Sequence, residues 1–208
     1  MAHRPTAAAQ ATKQQRTDAL VRAARGIVAA DGFGAASVLA IARVAGVSVG
    51  TVYTYFESRE ALLVAVFRQA ASAELQIVRD AVSEAGREPG ARAVRELTAL
   101  VTTFAERAIR GRRLAWALLV EPVDALIDVE RLHFRRAYSD TVAQIITRGV
   151  ASGELPVQDP RIVGPGLVGL IGEALTGPLS PLVDGQLPPS QVITDVTQMC
   201  LRAIGGQR

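Results

Sequence analysis

The apolar positions of this chain recur with the spacing of helices, and the alternation typical of strands is nearly absent. Serine, aspartate, glycine and proline punctuate the apolar runs at positions where helices begin and end. The pattern predicts an all-α chain of about nine helices, preceded by a disordered arm over residues 1–12. The predicted helices span about 13–30, 38–45, 49–55, 59–84, 89–110, 114–119, 124–151, 160–176 and 189–204.

The most informative stretch reads SVLAIARVAGVSVGTVYTYFESREAL, from Ser37 to Leu62. Ser37 and Ser48 suit the N-caps of two short helices, and Gly46 suits a tight turn between them. Val52 and Phe56 lie four residues apart, which favours packing of the second helix on the first. The opposite face then carries small or hydroxyl-bearing side chains, as a helix in the major groove of DNA requires. A helical hairpin that binds no DNA has the same spacing, so the spacing alone leaves both interpretations open.

This stretch closely resembles the signature of the TetR family of bacterial transcriptional regulators. The matching positions are Leu39 to Ala42, Ala45 to Ser48, Gly50-Thr51, Tyr53, Tyr55-Phe56 and Ser58 to Glu60. The signature is long and specific, and it covers about a quarter of the chain. It implies a three-helix, helix-turn-helix DNA-binding domain over residues 13–60 and a helical regulatory and dimerisation domain over residues 61–208.

The resemblance also implies which residues contact DNA. Phosphate contacts are expected from Tyr55 and Arg59, and a phosphate or base contact is expected from Arg43. The ten expected DNA-contacting residues are Ser37, Arg43, Ser48, Val49, Gly50, Thr51, Tyr53, Thr54, Tyr55 and Arg59. Lys13 and Arg16 are further candidates for the adjacent minor groove or phosphates. For each of them, an ordinary solvated surface group is the alternative.

The net charge of +3 lies entirely within residues 1–60, which carry seven basic and four acidic side chains. A localised basic surface is typical of a polyanion-binding protein. The excess is small, so it agrees with a DNA partner without establishing one.

The resemblance places an effector cavity in the regulatory domain, and we expect a small, largely apolar effector held by one or two polar anchors. The candidate lining residues are Phe104, Trp116, Leu119, Phe134, Tyr138, Ile171 and Leu175. For any single one of them, an ordinary core position is favoured over a lining position. A nearby polar group could contribute anchors or form surface pairs; its members are Glu121, Asp124, His133, Arg135 and Arg136.

The last two predicted helices, about 160–176 and 189–204, are expected to form a homodimer interface. The first of them carries glycine at positions 164, 166, 169 and 172, where glycine disfavours a helix by about 1 kcal/mol each. Small side chains permit close approach of another helix, either in a partner subunit or within the same chain. A dimer is favoured because paired recognition helices read paired half-sites on a palindromic operator.

Other classes of protein are less well supported. We find no catalytic constellation and no phosphate-binding loop, so an enzyme, a cofactor or a metal site is not expected. Carboxylates at Glu121, Asp124, Asp128 and Glu130 imitate a metal cluster, but a solvated helix face explains them. The apolar runs stay below the ~18 positions of a membrane span, which favours a cytoplasmic protein. A DNA-binding architectural protein without an effector stays open, as do the operator, the effector, the regulated genes and the sign of regulation.

Overall fold

The computed structural model describes residues 7–181 and 187–205, and these residues form nine α-helices and no strand. The all-α prediction is therefore confirmed for the described part of the chain. The helices are α1 Ala7–Asp31, α2 Val38–Ala45, α3 Val49–Tyr55, α4 Arg59–Ala85, α5 Arg92–Arg110, α6 Arg112–Leu119, α7 Ala125–Ala151, α8 Pro160–Leu179 and α9 Pro189–Ala203. We refer to α1–α3 as the reader.

Two helices extend by three or more residues beyond the bounds that their sequence pattern predicted. Helix α1 begins at Ala7, so residues 7–12 are helical and not part of a disordered arm. The run AAAQAT is rich in alanine, the strongest helix former. The predicted start at residue 13 rested on apolar spacing, which does not register this propensity. Residues 1–6 of the predicted arm lie outside the described residues. Helix α8 continues past Thr176 to Leu179, because the Ser180 N–H still donates to the Thr176 carbonyl at 3.0 Å.

Ser37 and Ser48 begin the two helices that flank the turn, as predicted, and Ser58 begins α4 in the same way. The hydroxyls of Ser37, Ser48 and Ser58 accept the backbone N–H groups of the residues three positions later, at 3.0–3.2 Å. Gly46 ends α2 with a φ of +67°, in the left-handed region that glycine adopts without strain. Local capping therefore fixes both ends of the turn between α2 and α3.

The buried apolar residues form two clusters that meet along α4. The first cluster joins the reader to α4 as far as Ala71, and it also includes Ala117, Leu118 and Ile127 from α6 and α7. The second cluster joins the remainder of α4 to α5, α7, α8 and α9. The division between the cores therefore crosses the middle of α4, whereas the sequence predicted a domain boundary between residues 60 and 61.

Helices α4 and α8 are long and apolar enough, by length and composition, to cross a membrane. The sequence pattern did not predict this property. In their most apolar windows, 44% of the α4 residues but only 28% of the α8 residues are buried inside the chain. Helix α8 therefore presents a largely apolar and exposed face.

Cys200 lies in α9 with no exposed surface, and burial raises the pKa of its thiol to about 11. At pH 8 about one thiol in a thousand is then a thiolate, which is the reactive form. We expect a thiol reagent such as dithionitrobenzoate to leave Cys200 unmodified in the native protein and to modify it fully in denaturant. Stoichiometric labelling within seconds at pH 8 without denaturant would contradict the buried position.

Candidate DNA-binding site and regulatory domain

Helices α2 and α3 cross at 98° around the Gly46 turn. Their inner sides are apolar: Ile41 and Ala42 from α2 are buried against Val52 and Phe56 from the α3 region. This is the packing that the spacing of Val52 and Phe56 predicted. It leaves the outer face of α3 directed away from the core.

The outer face carries most of the predicted DNA contacts. Tyr53 is 52% exposed, and Thr51 and Tyr55 are half-buried. The other exposed candidates are Ser37, Arg43, Ser48, Val49, Gly50 and Thr54. Seven of the ten predicted contact residues are thus exposed, and Thr51, Tyr55 and Arg59 are half-buried.

Three hydroxyl groups on this surface already have partners within α3 or at its N-cap. The Ser48 and Thr51 hydroxyls lie 2.9 Å apart, and the Thr54 hydroxyl donates to the Gly50 carbonyl at 3.1 Å. A hydroxyl that donates within its helix still has acceptor lone pairs to offer. These bonds hold the short side chains close to the α3 backbone, which keeps the face shallow.

Arg16 of α1 lies beside α3, the predicted recognition helix. Together with Thr51 and Tyr55 it lines a cleft of about 50 Å³ between α1 and α3. The remaining lining residues are Ala19, Leu20, Ala45 and Val47. The arginine that was a secondary candidate from the sequence is thus adjacent to two of the principal ones.

Arg59, whose phosphate contact stays a prediction, makes two hydrogen bonds inside the protein. Its Nε donates to the Ala36 carbonyl at 2.9 Å, and its Nη2 donates to the Phe33 carbonyl at 2.8 Å. The guanidinium therefore holds the loop between α1 and α2 and is half-buried beneath it. This geometry argues against the predicted phosphate contact, because two of the three nitrogens are committed inside the protein. A family signature fixes which residue occurs at a position, but it does not say which of two acceptors the side chain reaches.

Glu121 contacts the same loop from the regulatory domain. Its two carboxylate oxygens accept the backbone N–H groups of Phe33 and Gly34, each at 3.1 Å. The sequence suggested Glu121 as a ligand anchor or surface pair, and the structure corrects this to a contact between α6–α7 and the reader. Because 87 or more residues separate the partners, no local sequence signal could have found this contact.

Six of the seven candidate effector residues lie in one core. Ile171 and Leu175 are buried in the second cluster, and Phe104, Trp116, Leu119 and Tyr138 pack against it. Phe134 is the exception, since it packs in the first cluster with its ring 5.8 Å from that of Phe67. The prediction that Phe134 belongs with the other six was wrong, because α7 passes from one core to the other along its length.

An aromatic pair and an ion pair lie side by side in this region. The rings of Phe104 and Tyr138 are 5.4 Å apart in an edge-to-face arrangement. Arg107 forms a bidentate pair with Glu74, with one N–O distance of 2.9 Å. Burial, and to a lesser degree the Glu74 carboxylate, raises the pKa of Tyr138 above its usual value, so its hydroxyl stays protonated. This region therefore combines apolar surface with charged and hydroxyl groups.

The other polar candidates have structural or surface positions. Asp124 caps α7 by accepting the Leu126 N–H at 2.8 Å and the Ile127 N–H at 3.1 Å. His133 is 67% exposed and lies 3.9 Å from the Glu130 carboxylate. Hydrogen bonds from Arg68 to the Glu130 carboxylate tie α4 to α7, and they also lower the pKa of Glu130. Within the described residues, no three potential ligands among histidine, cysteine, aspartate and glutamate converge on a metal site.

The glycines of α8 divide into two groups. Gly164 is buried, and a Cβ placed on it would lie 2.8 Å from the Ser139 carbonyl oxygen, so glycine is needed there for packing on α7. Gly166, Gly169 and Gly172 are different, because a Cβ on any of them meets no described atom within 4 Å. Their small size therefore serves no contact within the described part of this chain.

These features define a class of protein: an all-α chain with an N-terminal helix-turn-helix whose second helix has an exposed outer side. Residues 20–66 match the profile of the bacterial regulatory proteins of the tetR family. This match confirms the resemblance to the TetR family that was found in the sequence.

Several similar proteins regulate fatty acid metabolism. The fatty acid metabolism regulator protein of Bacillus subtilis is 24% identical over 160 residues, which cover 76% of this chain and 80% of that protein. The fatty acid degradation regulator FadR of Bacillus halodurans has a TM-score of 0.74 at 20% identity, covering 92% and 97% of the two chains. FadR of Bacillus subtilis in complex with stearoyl-CoA has a TM-score of 0.73 at 20% identity, covering 92% and 99%. At these identities the structural matches show the shared fold.

Proposed function

We propose that this protein is a homodimeric repressor that binds a palindromic operator in the cytoplasm and is released by a long-chain acyl-CoA. The observation that carries the proposal is the outer side of α3, where Gly50, Tyr53 and Thr54 are exposed and Thr51 and Tyr55 lie half-buried at its α1 edge. Hydroxyl groups on a shallow helix face suit phosphate and base-edge contacts in the major groove. We infer that Arg16 and Arg43 add positive charge at the edges of this face.

The exposed face of α8 supports a dimer through α8 and α9. Gly166, Gly169 and Gly172 are open toward solvent, while Ile162 is 71% and Met199 is 41% exposed. Exposed apolar surface beside small side chains is typical of a helix pair that packs across an interface. A dimer also supplies the second recognition helix that one palindromic operator needs.

The choice of effector rests on the relatives and on the second core. FadR of Bacillus subtilis, which has a similar fold, forms a complex with stearoyl-CoA. In this chain, six candidate lining residues lie in or against the second cluster. The Glu74–Arg107 pair and the Tyr138 hydroxyl supply polar groups next to this apolar surface. An acyl-CoA has the same division between a long apolar chain and a polar head.

Helix α4 is the expected route from effector to DNA. It begins at Arg59, directly after the reader, and its second half packs in the same core as the effector candidates. An effector that fits better when α4 has moved shifts the population toward that position. The two recognition helices then no longer match half-sites about 34–36 Å apart.

Two tyrosine variants separate operator binding from release by the effector. We expect Tyr55→Phe to lower affinity for the operator roughly 10-fold, because it removes one hydrogen bond to a charged phosphate. We expect Tyr138→Phe to leave that affinity unchanged and to raise the concentration of stearoyl-CoA needed for release. The measurement is a fluorescence anisotropy titration on the upstream intergenic DNA of its own gene, at 100 mM salt, against a scrambled duplex.

Free coenzyme A and stearate are the matched controls for the effector. Release by stearoyl-CoA but by neither fragment supports the proposal that the protein binds both the acyl chain and the polar head of the effector. No preference of the wild-type protein for its upstream DNA over the scrambled duplex would refute operator binding. Specific DNA binding that stearoyl-CoA leaves unchanged would refute the effector alone.

A further inference from the structure

The loop between α1 and α2, residues 32–37, is held from both sides by charged side chains. On one side the Glu121 carboxylate accepts the N–H groups of Phe33 and Gly34 at 3.1 Å. On the other side Arg59 donates to the carbonyls of Phe33 and Ala36 at 2.8 and 2.9 Å. Phe33 therefore uses both of its backbone polar groups to connect the regulatory domain to the first turn of α4.

The loop is shaped to admit the Glu121 carboxylate. Gly32 has a φ of +84°, and a Cβ placed on it would lie 2.6 Å from Glu121 Oε2. Any other residue at this position would therefore both strain the backbone and displace the carboxylate. This close fit distinguishes the contact from a surface pair whose members meet only by chance.

Arg131 of α7 holds the segment that carries Glu121. Its Nε donates to the Leu118 carbonyl at 3.0 Å, and its Nη2 donates to the Ala117 carbonyl at 2.9 Å and to that of Glu121. Charge-assisted hydrogen bonds are directional and stronger than neutral ones. A continuous chain of such bonds therefore runs from α7 through Glu121 and the loop to Arg59, next to the end of the recognition helix.

We propose that Glu121 is a positioning residue that fixes the orientation of the reader relative to the regulatory domain. The apolar contact of Ala117 and Leu118 with the first core holds the two parts together, but apolar contact is non-directional. The carboxylate supplies direction at the α1–α2 loop, since two N–H groups must point at it, and Arg113 of α6 adds one hydrogen bond to the Asp31 carbonyl at the end of α1, at 2.9 Å. A change at the α6–α7 junction then turns the reader. The effect of that turn on DNA affinity rests on the proposed function.

Glu154 offers a matched control within the same chain. Its carboxylate also accepts two backbone N–H groups, those of Ala93 and Val94 at 2.8 and 2.9 Å, but both partners lie in α5. Glu121→Ala and Glu154→Ala therefore remove the same kind of contact. Only the first of them lies between the reader and the regulatory domain.

The test measures the orientation of the reader directly. Spin labels are placed on cysteines at Val44 of α2 and Leu132 of α7, which are 60% and 63% exposed, with Cys200 replaced by alanine. The labelled chain is diluted with unlabelled chain, and the distance between the labels is recorded by pulsed electron resonance. We expect Glu121→Ala to broaden or shift this distance distribution, and Glu154→Ala to leave it as in the parent.

Glu121→Gln provides a milder variant in case the alanine variant does not fold. It retains one acceptor oxygen, and we expect a smaller broadening in the same direction. Equal distributions in the parent and in both Glu121 variants would overturn the proposal. On the upstream DNA, we expect Glu121→Ala to change affinity at least fivefold relative to Glu154→Ala, and a ratio within twofold would overturn its consequence for DNA. If the parent shows no preference for that DNA, the proposed function fails while the distance measurement still decides the role of Glu121.

Discussion

Replacing Gly169 with arginine is expected to convert the proposed dimer into monomers and to lower operator affinity roughly 100-fold or more. A Cβ at Gly169 meets no described atom of its own chain within 4 Å, so the monomer has room for the larger side chain. A closely packed pair of α8 helices has no such room, and it would bury the added charge without a partner. Because two linked readers bind far more tightly than one, loss of the dimer removes most of the affinity.

Gly26→Arg is the matched control for oligomeric state. Gly26 is also a helical glycine with open space around its Cβ position, but it lies in α1, away from α8 and α9. Sedimentation equilibrium should give a dimer mass for the parent and for Gly26→Arg, and a monomer mass for Gly169→Arg. A dimer mass for all three proteins would show that the interface lies elsewhere.

Phe67→Ala is expected to reduce the free energy of unfolding by about 3–5 kcal/mol. Phe67 is 2% exposed, and its ring lies 6.4 Å from that of Phe33 and 5.8 Å from that of Phe134. The ring therefore joins the α1–α2 loop, α4 and α7, and its removal leaves a cavity at their meeting point. Urea unfolding followed by circular dichroism measures the change at a fixed protein concentration.

The comparison variants for Phe67 separate size from position. Phe67→Leu keeps most of the apolar volume, so we expect a loss well below that of the alanine variant. Phe104→Ala removes a ring that is only partly buried against the second cluster, and we expect a smaller loss than at Phe67. A loss below 1 kcal/mol for Phe67→Ala would mean that the first core does not depend on this aromatic group.

Local signals in the sequence were sufficient to predict the reader. Ser37, Ser48 and Gly46 act within three or four residues of their own positions, so their caps and turn can be read without the tertiary structure. The same holds for Val52 and Phe56, whose spacing on one helix face already implies burial. The start of α1 was wrong because no cap or apolar stripe marks Ala7, and only alanine propensity extends the helix there.

The contacts between distant segments could not be predicted in this way. Arg59 and Glu121 reach backbone groups of a loop that is 23 to 88 residues away in sequence. Nearly every residue carries the same backbone N–H and C=O groups, so the identity of a residue does not show that a distant side chain binds its backbone. Phe134 was assigned to the wrong core for a related reason, since apolar character indicates burial but not which of two clusters receives the side chain.

The division of the core across α4 sets a limit on exchanging readers between regulators. A chimera joined at residue 60 would place a foreign reader on the native surface of Leu62, Phe67 and Leu118, which this reader buries in its own core. The foreign chain would also meet the Glu121 carboxylate without the Gly32 loop that receives it. A functional graft would therefore have to transplant α4 as far as Ala71 together with the α6–α7 junction, so that the inherited unit is discontinuous in sequence.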